Sequence, residues 1–290
     1  MKQSQAPPRV VAWSLVVGLV LCTVLSSDIR VVVAQTISSA ATRTSADSEY
    51  LTGAVLWTQS SAEYRALAYQ TFTLARLRLD QDLRLYRAKR GARRQPAVVV
   101  DIDETVLDNT RYEAELVLRA LSYDAVTWSA WCQRAEAGAV PGAVDFLKYA
   151  ARRGVHVFYI TNRRQGEKAG TIANLRRVGF PDPSAESVMV REEGATSSKE
   201  SRRKKVALRF NILLLVGDAL SDFNDDFSDK TTAERATQLD RERAEFGARF
   251  IVVPNPMYGD WESAIYENKS NLTNDQKRAY RRAALKGETN

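Results

Sequence analysis

Ala97-Val98-Val99-Val100-Asp101-Ile102-Asp103-Glu104-Thr105 is a short, wholly apolar, largely β-branched run that stops abruptly at a carboxylate. The form recurs three times: residues 155–160 end in Thr161, residues 212–216 in Gly217 and Asp218, and residues 250–253 in Pro254 and Asn255. Strands that are apolar on both faces belong to a parallel sheet covered on both sides. Helical patterns lie between them at 143–153, 167–178 and 199–208, with Gly154 and Gly179 marking two of the stops. Strands alternating with helices predict an α/β, doubly wound domain with four parallel strands. In such sheets ligands bind beyond the carboxyl ends of the strands, where each run here carries a polar residue.

Upstream, Tyr64, Leu67, Phe72, Ala75, Leu79, Leu83 and Tyr86 recur every three to five residues and predict one long amphipathic helix. Residues 104–140 and the N-terminal helices do not fit the sheet and are expected to form a helical cap over its carboxyl edge. No internal repeat is present.

The chain has 290 residues, 44% of them hydrophobic, enough for a full core without staples. A single histidine, His156, excludes clusters of His metal ligands and reads as a strand residue without a role. Of two cysteines, Cys22 lies in an N-terminal apolar run, so the folded part keeps only Cys132 and can close no internal disulfide. What is abundant is carboxylate, 35 Asp and Glu, the ligand type of hard cations. The net charge of +7 comes from 42 Lys and Arg that sit mostly at helical spacing beside acids. The densest cluster, residues 202–205 after Glu200, reads as a solvated helix face, so no nucleic acid polymer is expected as partner.

At the N-terminus, Lys2 and Arg9 precede an apolar stretch at 10–25, and Asp28 and Arg30 return the chain to polarity. Residues 1–34 read as a secretory signal peptide cleaved before Gln35 or as a retained anchor that would attach the protein to a membrane. Either reading makes the protein exported: periplasmic, secreted or membrane-anchored. Cys22 could instead be a lipid acceptor, although such a site wants a small residue before the cysteine and Leu21 stands there. A flexible linker is expected over 35–55, the main domain over 56–270 and a basic tail over 271–290.

Asp101 and Asp103, two apart at a strand end, can converge on one atom, although the same residues also suit a turn that caps the next helix. Taken with Thr161-Asn162-Arg163, Lys199 and Gly217-Asp218-x-x-x-Asp222, the pattern resembles the haloacid dehalogenase (HAD) superfamily of phosphotransferases. Finer matches resemble its class C acid phosphatases, the branch containing the lipoprotein e type 5′-nucleotidases. They are Trp57-x-Gln59-x-Ser61-Ala62-Glu63-Tyr64, the stretch from Asp101 through Asp108-Asn109, Val140-Pro141-Gly142-Ala143 and Tyr258-Gly259-x-Trp261-Glu262. The likeness runs from about Leu56 to Glu262. Ala219 departs from it, standing where Asn is expected after Gly-Asp, which bears on local loop hydrogen bonds. The resemblance implies an HAD-like sheet and a Mg2+ ion held by Asp101, the Asp103 backbone carbonyl and Asp218, with Asp222 as ligand or outer anchor.

Phosphate monoesters hydrolyse extremely slowly unaided, so such a site must neutralise phosphoryl charge and supply a nucleophile and an acid. Asp101 is the natural nucleophile, through an aspartyl-phosphate that splits one hard displacement into two. Asp103, its proton held by the negative charges expected around it, would protonate the leaving alkoxide and then activate water. Thr161, Asn162 and Lys199 would bind phosphoryl oxygens, although Thr161 seen alone could simply end a strand and Lys199 lie on a helix face. Trp128, Trp131, Tyr258 and Trp261 suit a core as well as a ligand platform; placed near the entrance, they would stack on a nucleobase of any kind. The expected substrate is a small phosphomonoester, a nucleoside monophosphate in the first instance. A non-catalytic binding or storage protein on the same fold is the rival, and intact Asp101 and Asp103 argue against it.

Overall fold

A computed structural model describes residues 47–88 and 94–288, which belong to one compact unit. The N-terminal apolar stretch, its cleavage site and residues 35–46 of the expected linker lie outside the described residues. The described residues begin inside that expected linker, with a 3-10 turn at Asp47–Leu51 that leads into helix α1 (Thr52–Ser60).

The sheet has five parallel strands in the order β5-β4-β1-β6-β7, with β1 Gln95–Val100, β4 His156–Arg164, β5 Val188–Arg191, β6 Phe210–Gly217 and β7 Phe250–Val252. The doubly wound α/β reading holds with one strand more than expected, because β5 is a four-residue edge strand that alternates buried and half-buried positions. Such a short segment lacks the continuous apolar run that marks the other four. The chain runs outward from β1 through β4 to β5, then crosses to β6 on the other side of β1. The crevice therefore opens at the carboxyl ends of β1 and β6. Between Ala97 and Val98 the β1–β6 register shifts: Ala97 faces Ile212 but Val98 faces Leu214, so β6 carries an extra residue, Leu213, at a bulge.

Alternate strand residues feed two cores. Val98, Val100, Val157, Tyr159, Leu214 and Val216 pack under helix α2 (Ala62–Ala88), under α5 (Ala143–Arg152) and against Leu175 of α6 (Lys168–Val178). Val99, Ile160 and Leu215 pack on the other side with Val206 of α7 (Glu200–Arg209), Phe223 and Phe250. The long helix α2 is therefore a layer of the sheet sandwich and not part of the cap. Its buried stripe is Tyr64, Ala68, Phe72, Ala75, Leu79 and Leu83, and Leu67 faces outward. The alternation of alanine with large residues lets the helix lie close to the strands.

The cap at the carboxyl edge is smaller. It comprises the antiparallel pair β2 (Leu107–Asp108) and β3 (Gly138–Ala139), helices α3 (Thr110–Leu118) and α4 (Ala125–Arg134), and the N-terminal turn, tied down by Ser48 Oγ donating to Leu116 O at 3.0 Å. Gly142 starts α5 at φ +87, and a side chain there would press on Tyr69 and Phe72 of α2 at 3.2–3.3 Å, so the turn out of the cap requires glycine. Helix α8 (Thr232–Arg241) leads to β7, α9 (Asp260–Ile265) follows that strand, and the basic tail forms α10 (Asn274–Ala284). No described helix is long and apolar enough to cross a membrane.

Leu79 is fully buried between α2 and the sheet. Leu79→Ala is expected to cost about 3 kcal/mol, read as a lowered urea midpoint at unchanged m-value.

Candidate active site

The position of Asp101 is set by the sheet itself. The Asp101 backbone N–H donates to Val216 O at 2.9 Å, one residue past the end of β1, and its carboxylate is buried at the crevice floor. Lys199, just before α7, donates through Nζ to Asp101 Oδ1 and to Asp222 Oδ1, the latter at 2.6 Å. Burial pushes the Asp101 carboxyl well above the ordinary carboxylate range even though Lys199 pulls it back.

Asp218, Asp222 and Asp101 each offer a carboxylate oxygen, all within 4.8 Å of one another. Each is oriented by its own donors. Thr105 Oγ1 donates to Asp218 Oδ1 at 2.8 Å and Asn255 Nδ2 to Asp218 Oδ2 at 2.8 Å. The Ala219 N–H donates to Asp222 Oδ2 at 3.0 Å, so the turn where Asn was expected is closed by backbone. Gly217 makes the approach possible, because a Cβ there would lie 2.3 Å from Asp222 Oδ2. Burial, followed by the Asp222 charge, pushes the Asp218 carboxyl up to about 6. Three oxygen donors facing one lysine leave an excess of negative charge that a hard divalent cation fits. Asp103's carboxylate is not part of this trio.

Asp103 is held differently from expectation. The charge beside it is cationic: Arg163, fully buried, donates Nη2 to Oδ1 at 2.7 Å and Nε to both oxygens at 3.0 and 3.2 Å. Asn109 Nδ2 adds a bond at 2.9 Å and Thr161 Oγ1 one at 3.2 Å. Thr161 is thus engaged with Asp103, and its hydroxyl accepts the Arg163 N–H at 3.1 Å. Asn162 lines the cavity, with its side-chain oxygen accepting from Arg202 Nη2 at 2.8 Å.

Two arginines of the supposedly solvated cluster are buried. Arg202 reaches Thr161 O and Ser198 O, tying β4 to the Lys199 loop. Arg203 donates Nη1 to Ser221 O at 3.0 Å and to Asp222 O at 2.9 Å, and Nη2 to Asp225 Oδ1 at 3.1 Å. Only Lys204 and Lys205 remain on the outer face. Glu104 is also buried, at φ 59, where it accepts the Asn109 N–H at 2.8 Å and the Tyr258 hydroxyl. The sequence alone assigns no role to Glu104, Asn109, Arg163, Arg202, Arg203 or Asn255. Their signal is adjacency, since Glu104 and Asn109 flank the strand-end motif and Arg163 ends Thr161-Asn162-Arg163.

The cavity above Asp101 is about 500 Å3, within the range of ligand pockets, and Asp103, Lys199, Trp128 and Tyr258 line it. The other two predicted aromatics do not. Trp131 is buried in the core, its indole N–H on Asn109 Oδ1 at 2.9 Å, and Trp261 lies at the surface with its N–H on Tyr258 O at 3.2 Å. His156 is exposed, its ring 4.8 Å from that of Phe210, remote from the site.

Removing the guanidinium that holds Asp103 leaves a carboxylate without its cation. Arg163→Met is expected to destabilise the fold by about 3 kcal/mol, and Asp103→Asn in that background should recover part of the loss, as a double-mutant cycle in urea would show.

Comparisons with known proteins agree with this geometry. The structure is similar to that of the class C acid phosphatase from Bacillus anthracis, at TM-score 0.78 and 38% identity over 84% of this chain and 99% of that one. It is equally similar to the same protein with tungstate bound, at TM-score 0.78 and 37% identity over 83% of this chain and 99% of that one. Among curated proteins, Acid phosphatase 1 of Solanum lycopersicum is 27% identical over 130 residues, 43% of this chain and 50% of that protein. The Stem 28 kDa glycoprotein of Glycine max is 25% identical over 169 residues, 55% of this chain and 58% of that protein. The chain thus spans between half and about three-fifths of these two relatives. The family model for HAD subfamily IIIB acid phosphatases matches residues 18–261, a stretch that includes every strand of the sheet and every carboxylate at its edge, and the chain belongs to that family.

Proposed function

We propose that the protein is an exported, magnesium-dependent phosphomonoesterase that acts on nucleoside monophosphates through an aspartyl-phosphate on Asp101. The observation that carries this reading is the different treatment of the two aspartates at the end of β1. Asp103 is clamped by a buried guanidinium, whereas Asp101 faces the cavity with Lys199 on one oxygen.

Asp101, Asp218 and Asp222, with the Asp103 backbone carbonyl, would hold Mg2+, which when bound offsets negative charge on the phosphoryl group. An Asp101 carboxylate oxygen attacks phosphorus as the bond to the leaving oxygen breaks. Asp103, positioned by Arg163 and Thr161, must take up a proton from solvent, which it then gives to that departing oxygen. It then takes a proton from water, whose oxygen attacks phosphorus, breaking the bond to Asp101 and releasing phosphate. Lys199 places its ammonium where the equatorial oxygens gain charge. The rings of Trp128 and Tyr258 in the cavity wall support a planar leaving group, and the N-terminal apolar stretch supports export.

A phosphate-release assay on a panel of monoesters tests this. Asp101→Asn is expected to retain less than about a tenth of the wild-type rate with an intact fold, since it removes the nucleophile and almost no volume. Chelation should abolish turnover and Mg2+ should restore it; full activity after exhaustive chelation would overturn the metal requirement, and no turnover of any monoester would overturn the reading in favour of a binding protein.

The aromatic wall makes a separate claim. Wild type is expected to show higher kcat/KM for nucleoside monophosphates than for glycerol phosphate, and Trp128→Ala to narrow that gap mainly through KM, by about tenfold.

A further inference from the structure

Glu113, in the first turn of α3, is 6% exposed and lines the same cavity as Asp101. Among the described residues its carboxylate has no hydrogen bond and no ion pair. Its neighbour Glu262 shows what a satisfied acid looks like there: Tyr50 and Tyr266 donate their hydroxyls to one of its oxygens at 2.6 and 2.5 Å. Buried Asp101 and Asp222 are likewise supplied with a donor by Lys199 and half-buried Asp103 by Arg163, while Asp260 Oδ2, also at the cavity wall, lacks a hydrogen bond but lies 3.8 Å from Arg235 Nη1. An acid in the first turn favours the helix dipole, but an exposed carboxylate would serve as well, so the dipole does not explain burial. Its oxygens are not sealed in the protein but open onto the cavity, where a ligand can bring the donor that the protein does not supply.

We propose that Glu113 is a specificity-determining residue that accepts hydrogen bonds from N–H groups on the leaving group of a phosphomonoester, the edge of a nucleobase that presents an amide N–H beside an amino group. The proposal rests on the phosphomonoesterase reading and deepens it. Ring stacking on Trp128 and Tyr258 does not distinguish bases, whereas a carboxylate with two free oxygens favours the edge that offers two donors. Burial, with repulsion from Glu262 second, pushes the Glu113 carboxyl up to about 7, in keeping with a group whose donor is not supplied by the protein.

The test uses the full-length protein with Mg2+ and three substrates: guanosine 5′-monophosphate, with both donors; inosine 5′-monophosphate, without the amino group; and phenyl phosphate, with neither. Glu113→Gln is expected to raise KM about tenfold for the guanosine substrate, less for the inosine one, and less than about twofold for phenyl phosphate, with kcat held throughout. Its melting temperature should be unchanged or higher, because a buried carboxylate without a partner has been removed. A fall of more than about 5 °C would make Glu113 a support of the cap and overturn the proposal. Equal losses on all three substrates, or none on any, would overturn it too while leaving the phosphatase reading intact. If wild type cleaves none of them, the phosphatase reading fails and the proposal falls with it.

Discussion

Three carboxylates buried within 4.8 Å of one another repel, by about 3 kcal/mol per pair at an effective dielectric constant of 20. The architecture around the crevice exists to make that arrangement tolerable. Lys199 stands between two of the three acids, Thr105 and Asn255 supply donors to Asp218, and the Ala219 amide supplies one to Asp222. These donors come from four separate places in the chain: the loop after β1, the turn before α7, the loop after β6 and the segment after β7. Only a parallel sheet with all its carboxyl ends at one edge delivers them together. The sandwich of helices on its faces is what fixes the positions of those ends.

Arginine has a structural part in this arrangement that charge counting does not reveal. Arg203 takes the carbonyls of Ser221 and Asp222, and Arg202 takes that of Thr161, so α7 ties together the loops on either side of β1. Lys199 begins the same helix, and its ammonium is therefore placed by two buried guanidiniums one turn further on. The net basic charge of the chain reflects this internal use of arginine as well as its solvated faces.

Much of the fold was legible because the buried strands are apolar without interruption and each stops at a polar residue. The same abruptness exposed Asp101, Asp103, Thr161 and Asp218. Illegible features fall into two kinds. Val188–Arg191 is too short for a period to emerge, and its position at the sheet edge comes from pairing with β4 alone. Arg163, Arg202, Arg203, Glu104 and Trp131 look in one dimension like surface charge or generic core. Their partners are distant in sequence, as with Arg163 and Asp103, sixty positions apart. Spacing alone puts Leu67 on the buried face of its helix because it tolerates an offset of one residue, whereas packing against strands does not, and Ala68 takes that place. The aromatics divided for the same reason: Trp131 binds Asn109 from inside the core, and Trp128, one turn earlier, lines the cavity.

The bulge at Leu213 has an effect well beyond the middle of the sheet. It advances β6 by one residue relative to β1, so that Val100 lies beside Val216 and the amide of Asp101 meets the last carbonyls of β6. Strand side chains alternate between faces, so losing that one residue would turn the outer half of β6 over and carry Gly217 and Asp218 out of step with Asp101. A sequence change of one deletion, some five residues from Asp218 and inside an apolar stretch, would thus disassemble the site without touching any of its functional groups. Tolerance to insertion and deletion in this protein is accordingly set by strand phase as much as by proximity to the chemistry.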